Sequence, residues 1–359
     1  MDVTSGKPTR QLEAEAKAER VGVVINRPGS PWRRRLIWLG VTIAVILIGL
    51  QLTAGFPERW VIDIGHWFED AENWILENDD TSWIFVSVLV PLKNGINSLF
   101  DHLVTLLGRM TWLGVITLAT SIAGVIAGWR MAIVTAVGFS LMGLLGLWEE
   151  SVETLSLILV SVSVTLLIGI PIGIWAGLND RVERVLRPIL DGMQTIPAFA
   201  YLIPLVLLFS IGTTTAMIAT VIFALPPAIR LTSLGLRGVP LTALEVADAY
   251  GSTNAQRLFK VHLPLAKPST MLGVNQTIMM AFGMVVIAAV VGFQGLGRQV
   301  YNALQSLNVG DALNGGVAIV AMAIVLDRVS YAWSQRGRQT RGERGVRLFG
   351  RTYSRRMMA

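Results

Sequence analysis

From Thr154 to Asn179 the chain reads TLSLILVSVSVTLLIGIPIGIWAGLN, without one charged residue. A charge-free apolar run of about 20 residues is enough to cross the hydrocarbon core of a bilayer as a helix. A second charge-free stretch runs from Leu36 to Gly55. Composition agrees: of 359 residues, 53% are hydrophobic and 15% charged, where a soluble domain carries about 25% charged residues. These runs predict an all-α polytopic membrane protein.

Working outward gives eight predicted spans: 36–55, 110–128, 131–148, 152–177, 189–212, 214–234, 269–292 and 312–333. The excess of basic residues in cytoplasmic loops tests that set. With both termini in the cytoplasm, the inner segments together with the cytoplasmic span ends hold 26 of the 30 Lys and Arg residues, among them Arg130, Arg181, Arg184, Arg187, Arg237 and Lys267. Only Arg59, Lys93, Arg109 and Arg298 fall outside. Basic residues crowd both ends, with Arg33, Arg34 and Arg35 before the first span and eight arginines between Arg336 and Arg356. Beside so much membrane sequence, tails of this kind act as topology determinants that touch anionic lipid heads, and no nucleic-acid partner is expected. The first apolar segment starts too late and runs too long for a cleaved signal peptide. There is no cysteine, which excludes disulfides and thiol chemistry.

The chain therefore divides into a basic cytoplasmic tail (1–35), a first helix (36–55), an outer segment (56–109), two spans (110–148), a larger helical core (149–333) and a second basic tail (334–359). In the outer segment Trp60, Trp67 and Trp74 recur every seven residues, with Phe56, Ile64, Ala71 and Ile75 on the same helical face. Such a stripe lies at the membrane interface with its rings at headgroup depth. Tryptophans also cage quaternary ammonium groups, but a single-faced row is flat rather than a box. A second amphipathic stretch places Leu92, Ile96, Leu99, Leu103 and Leu107 on one face. Inside the core, Gly169, Gly173 and Gly177 form a small-residue row, a helix-packing seam or, with Pro171, a hinge.

The longest connection between spans is GLRGVPLTALEVADAYGSTNAQRLFKVHLPLAKP, residues 235–268, on the predicted cytoplasmic side. Thr242 with Glu245 reads as a capping box opening one short helix, and Gly251 as its left-handed end. Thr253 with Gln256 reads as a second capping box, and Pro264 as the stop of the second helix. Leu258, Phe259 and Val261 supply apolar anchors, Arg257 and Lys260 charge. A helix–Gly–helix finger projecting from a membrane domain is a docking element.

The spacing of Glu245, Val246, Ala247, Gly251, Val261, Leu263 and Pro264 resembles the EAA loop of ABC importer permeases, with Val246 and Val261 where Ala and often Ile stand. The likeness continues in LDGMQTIPAFAYLIPLVLLFSIG (190–212), FALPPAIRLT (223–232), GVNQTIMMAFGMVVIA (273–288) and AIVLDR (323–328), which look like permeases of glycine betaine/proline betaine importers. That resemblance implies a five-helix, type I importer-like core in a bacterial inner membrane. It implies a homodimer of permeases, two copies of an ABC ATPase docked on the loop, and a periplasmic substrate-binding protein. The cargo implied is glycine betaine, proline betaine or a related quaternary ammonium osmolyte, with choline or carnitine as the alternative. Residues 1–109 lie largely outside the resemblance.

No G-x4-G-K-[ST] phosphate loop occurs, so ATP and its Mg are expected on the partner ATPase and no cofactor or metal on this chain. His66, His102 and His262 are scattered without metal-ligand spacing, and no catalytic constellation of Ser, His and carboxylates suggests an enzyme. A channel would have no use for an ATPase-docking finger. Polar residues inside the spans, Gln194, Thr195, Asn275, Gln276 and Thr277, are candidates for the translocation path or for interhelical hydrogen bonding. Arg230, Asp327 and Arg328 fall near predicted cytoplasmic span ends, where ion pairing suffices. A zwitterion does not require a fixed deep charge.

Overall fold

The computed structural model of the chain describes residues 31–51, 65–78 and 82–353. It divides into two compact units, residues 1–68 and 69–359. All regular elements among the described residues are helices, the form that closes its backbone hydrogen bonds within one segment in lipid. Helix α1 (Pro31–Gln51) belongs to the first unit, and its apolar stretch runs from Arg35 to Gly49. Helix α2 (Gly65–Asn78) follows. Trp74 is exposed there, whereas Phe56, Trp60 and Ile64 lie outside the described residues.

The second unit continues with a π-helical turn (Phe85–Leu89) leading into α3 (Val90–Arg109), then α4 (Thr111–Ala127), α5 (Trp129–Leu144) and α6 (Trp148–Leu178). Next come α7 (Asp180–Thr195), a 3-10 turn (Ala198–Tyr201), α8 (Leu202–Phe209) and α9 (Thr213–Arg237). Helix α10 (Leu241–Ala249), α11 (Asn254–Arg257), a π-turn (Leu258–His262), α12 (Leu263–Ala288), α13 (Leu296–Gln305) and α14 (Val309–Tyr353) complete it. Helix α9 is the hub: it packs along α6 on one side and α12 on the other. Helix α14 lies on α12 and α13, and the α4–α5 hairpin packs on α14.

The glycine row explains the α6–α9 contact. A Cβ on Gly169 would stand 2.7 Å from Ala228 Cβ, and one on Gly173 2.7 Å from both the Ile229 carbonyl oxygen and Thr232 Cβ. On Gly177 it would meet Leu236 Cβ at 2.9 Å. The second flank of α9 is as tight: Gly235 admits Ser269 and Ala266 of α12, with Ser269 Oγ donating to the Leu231 carbonyl at 2.7 Å. The row is a packing seam, and α6 runs unbroken through Pro171.

Contacts gather at two ends. At one, Thr214 Oγ1 donates to Asn97 Oδ1 (2.6 Å), Phe100 meets Phe293 edge-on at 6.1 Å, and the Gly212 N–H donates to the Val291 carbonyl (2.8 Å). There too the Gly295 N–H donates to Glu153 and the Leu296 N–H to Thr154 Oγ1. At the other, three rungs tie α7 to α9: Arg230 pairs with Asp191, Ser233 Oγ donates to Glu183 (2.8 Å), and Arg237 pairs with Asp180 (2.6 Å). The residues at the first end fall in outer segments or at outer span ends by the arginine bias, and those at the second in inner segments or at inner span ends. The amphipathic stretch 92–107 is therefore more than an interfacial helix: α3 buries Phe100 and Leu107 and packs on α6 and α9.

The eight expected spans are not eight long helices. Four helices among the described residues are long and apolar enough alone, and two bent pairs raise the number to six. The expected span 189–212 breaks where Ile196-Pro197 interrupts it, because proline removes an N–H and restrains its predecessor from helical geometry; α7 and α8 meet at 109°. The expected span 131–148 ends at Leu144, and Trp148 already begins α6. Helix α4 is bent 103° from α3.

Candidate functional site

The expected finger is present, with its start and its exit corrected. Helix α10 begins at Leu241 behind Pro240, with no side-chain cap. Proline at the N-cap sets the entry of the chain, so Thr242 falls inside the first turn and cannot cap; the Thr242–Glu245 box does not form. At the other end Gly251 adopts φ +69°. Its N–H donates to the Asp248 carbonyl (2.9 Å), and that of Ser252 to the Ala247 carbonyl (3.1 Å), the paired bonds that close a helix on a left-handed residue. The second capping box forms as expected: Gln256 N–H donates to Thr253 Oγ1 and Thr253 N–H to Gln256 Oε1.

Pro264 does not stop the second helix. Residues 254–291 run as one helical body, because a π-turn, with the Leu263 N–H donating to the Leu258 carbonyl, precedes the proline. The wider turn accommodates the missing donor and the ring where a regular helix would clash. The finger is thus fused to α12.

Asp248, which sequence reasoning passed over, pairs across the finger with Arg257, read there only as charge: Arg257 on α11 reaches Asp248 on α10 at 3.1 Å. Only their spacing across Gly251 signalled it. Ala247 is buried, while Glu245, Val246 and Tyr250 are exposed, Tyr250 at 87%. Of the expected anchors, Phe259 is exposed and Leu258 and Val261 are half-buried, as are Leu263 and Pro264. Leu241, Val246, Tyr250 and Phe259 are exposed apolar side chains of the finger, interspersed with the exposed charges of Glu245 and Lys260. His262 is buried, and burial, with the Arg257 charge second, holds its imidazole below the usual range.

The candidate path residues separate into two kinds. Asn275 is a structural tie: its Nδ2 donates to Asp327 at 2.9 Å, and Ser330 Oγ donates to its Oδ1 at 2.7 Å. Asp327 also faces Arg328, and Thr277 is buried. Gln276, Gln194 and Thr195 are exposed, with Thr195 Oγ1 donating to its own helix at Gly192. Gln194 and Thr195 end α7 at the break before α8. Among the described residues no cluster of three His, Asp or Glu is arranged to hold a metal ion.

Residues 169–336 match the family model described as binding-protein-dependent transport system inner membrane component. The chain is 45% identical to the glycine betaine transport system permease protein OpuAB of Bacillus subtilis, over 67% of its own length and 85% of that relative. It is 41% identical to the glycine betaine/proline betaine transport system permease protein ProW of Escherichia coli, over 80% of its length and 79% of the relative. To the glycine betaine/carnitine transport permease protein GbuB of Listeria monocytogenes it is 45% identical, over 58% and 74%.

Proposed function

The chain belongs to the family of binding-protein-dependent transport system inner membrane components, and we propose that it is the membrane permease of an ATP-driven importer for glycine betaine, proline betaine or a close quaternary ammonium relative. The observation that carries this reading is its similarity to two betaine permeases over most of their length, with the family match over residues 169–336 taking in finger and core. The chain supplies no ATPase: hydrolysis belongs to two copies of a partner docked on the finger through Val246, Tyr250 and Phe259, with Glu245 and Gly251 shaping the contact. Ligand capture belongs to a binding protein on the outer side.

The permease works as a pair of identical chains in the inner membrane with both termini cytoplasmic. Eight crossings fit the helices: four long ones, two bent pairs and the shorter apolar helices 35–49 and 129–144. Reporter fusions after Gly108 and after Ala359 then mark opposite sides, and a shared side refutes this topology. Function is tested by reconstituting permease, ATPase and binding protein in proteoliposomes. ATP-dependent uptake of labelled glycine betaine, competed by proline betaine, is expected. Vesicles that move choline or carnitine and not glycine betaine would overturn the cargo assignment; absence of ATP dependence would overturn the class.

A further inference from the structure

A groove of about 480 Å3 opens where the α4–α5 hairpin meets the start of α6, lined by Trp112, Ile116, Ser140, Gly143, Leu144 and Trp148. That is within the size range of ligand sites. Gly143 keeps it open: a Cβ there would already stand 3.9 Å from the Trp148 ring, and a longer side chain would fill the space. From the groove a row of exposed side chains descends α5: Leu144, Ser140, Val137 and Ile133. At 3.6 residues per turn these four fall within about 60° of arc. From 144 to 133 the row is about 16 Å long at 1.5 Å per residue, close to half of a hydrocarbon core about 30 Å thick. Groove and row together match one acyl chain of one leaflet.

Any acyl chain would suit the apolar lining; the polar groups choose the head. Ser151, Thr154 and Ser156 on α6 each return their hydroxyl to the carbonyl four residues earlier. The Ser140 hydroxyl makes no hydrogen bond among the described residues, and it lies one turn below Leu144, the depth of a lipid's ester carbonyls. Above it, Glu149 and Glu150 follow Trp148 in the first turn of α6. Glu153, one turn on, accepts from the Gly295 N–H. Glu149 and Glu150 make no ion pair among the described residues, and their charges repel that of Glu153. The rim is therefore negative without a cation to balance it. Two indoles stand beside these carboxylates, at the headgroup depth where tryptophan gathers, and an indole face attracts an ammonium group.

We propose that this groove holds one phospholipid with an ammonium-bearing head, of the phosphatidylethanolamine class: the ammonium against Glu149, Glu150 and the indoles, an ester carbonyl on the Ser140 hydroxyl, one chain along Val137 and Ile133. A head that carries only negative charge meets repulsion from the same carboxylates. By the topology proposed above the lipid belongs to the outer leaflet; the fusion after Gly108 tests that placement separately from the site. The stripe Leu313, Val317, Val320 and Ile324 on α14 is equally exposed and holds no polar side chain, so it takes lipid without choosing the head.

The α14 stripe supplies the control. The full complex with ATPase and binding protein is placed in nanodiscs of phosphatidylethanolamine and phosphatidylglycerol in equal amounts. Each disc carries a trace of one of these lipids with a diazirine in its acyl chain, and peptide mass spectrometry locates the label after photolysis. The ethanolamine probe should label residues 112–116 and 133–148 about three- to fivefold more than the glycerol probe, the preference an exposed ion pair gives. Both probes should label the α14 stripe alike. Glu149→Gln with Glu150→Gln keeps the groove's shape and should remove the preference. Gly143→Leu should lower both yields at the groove, with unchanged α14 labelling showing that the fold persists. Equal labelling of groove and α14 stripe by both probes would mean annular lipid only and overturn the site. A glycerol-probe yield at or above the ethanolamine one, or a preference that survives the double glutamine variant, would overturn the assignment of the head.

Discussion

Replacing Gly251 isolates the geometry of the finger from its chemistry. The residue sits at φ +69°, and a Cβ built on it meets no atom within 4 Å, so substitution creates no clash. What remains is the left-handed backbone itself, which costs a residue with a Cβ about 1–2 kcal/mol. With tenfold per 1.4 kcal/mol, the turn that aims α10 against α11 loses roughly five- to thirty-fold in occupancy. Valine, branched at Cβ, stands at the upper end, alanine at the lower, and asparagine tolerates this region. Uptake into proteoliposomes with ATPase and binding protein should therefore fall in the order Gly251, Gly251→Asn, Gly251→Ala, Gly251→Val, with permease insertion unchanged. The binding protein's affinity for ligand, measured alone, should not move. Wild-type uptake by Gly251→Val, or an asparagine variant as impaired as valine, would refute the reasoning.

Gly173→Leu should lower the thermal stability of the detergent-solubilised permease by about 1–3 kcal/mol or more, since its Cβ would stand 2.7 Å from backbone and side chain of α9; Gly95→Leu, inside α3 with nothing nearby, should not lower the melting temperature and gains helix propensity. Asp248→Ala should loosen the finger only slightly, because its bond to Arg257 is a partly exposed ion pair of a kind worth about 1 kcal/mol or less; proteolysis of residues 241–262 in the isolated permease measures it. For His262 the folded-state pKa is lowered, so its contribution to stability is fully present above the ordinary value near 6.5 and is lost as pH falls through the lowered folded value. Acidification should speed proteolysis of the finger in the wild type more than in His262→Phe, and equal acceleration would count against the buried neutral imidazole.

What was legible in the residues was mostly what backbone and bilayer dictate. The long spans, the Thr253–Gln256 cap and the left-handed Gly251 follow from local chemistry and were found where expected. The Thr242–Glu245 box was misread because Pro240 fixes the helix entry two residues earlier than the motif requires. Pro264 was misread because a π-turn two residues before it leaves no outward sign in composition. The span 189–212 looked continuous by hydropathy alone, and apolarity does not report a 109° change of direction. The α7–α9 ladder escaped notice because Asp180, Glu183 and Asp191 acquire partners from a helix some 50 residues away. Asn275 and Gln276 are adjacent and chemically alike, yet one is tied to Asp327 and Ser330 and the other is bare; only the tertiary packing separates them.

On the docking reading, the fusion of the finger to α12 has a mechanical consequence. Residues 254–291 form one helical body about 55 Å long at 1.5 Å per residue, and its far end is bonded to Gly212, which precedes α9. The other attachment of the finger is the short link Gly238-Val239-Pro240 from the end of α9. Motion of a docked ATPase therefore has two ways into the membrane, a stiff lever through α12 and a turn through 238–240. Insertion of two glycines after Leu265 separates them: it falls just before Ala266 and Ser269, which hold α12 against Gly235 and Leu231, and leaves the link to α9 intact. Glycine in a helix interior costs about 1 kcal/mol per residue, and two inserted residues turn the finger by about 200° relative to α12. The finger should still co-purify with its ATPase, while uptake falls and ATP hydrolysis no longer responds to loaded binding protein. Uptake at the wild-type rate with the insertion in place would show that the 238–240 link, not the continuous helix, carries the motion.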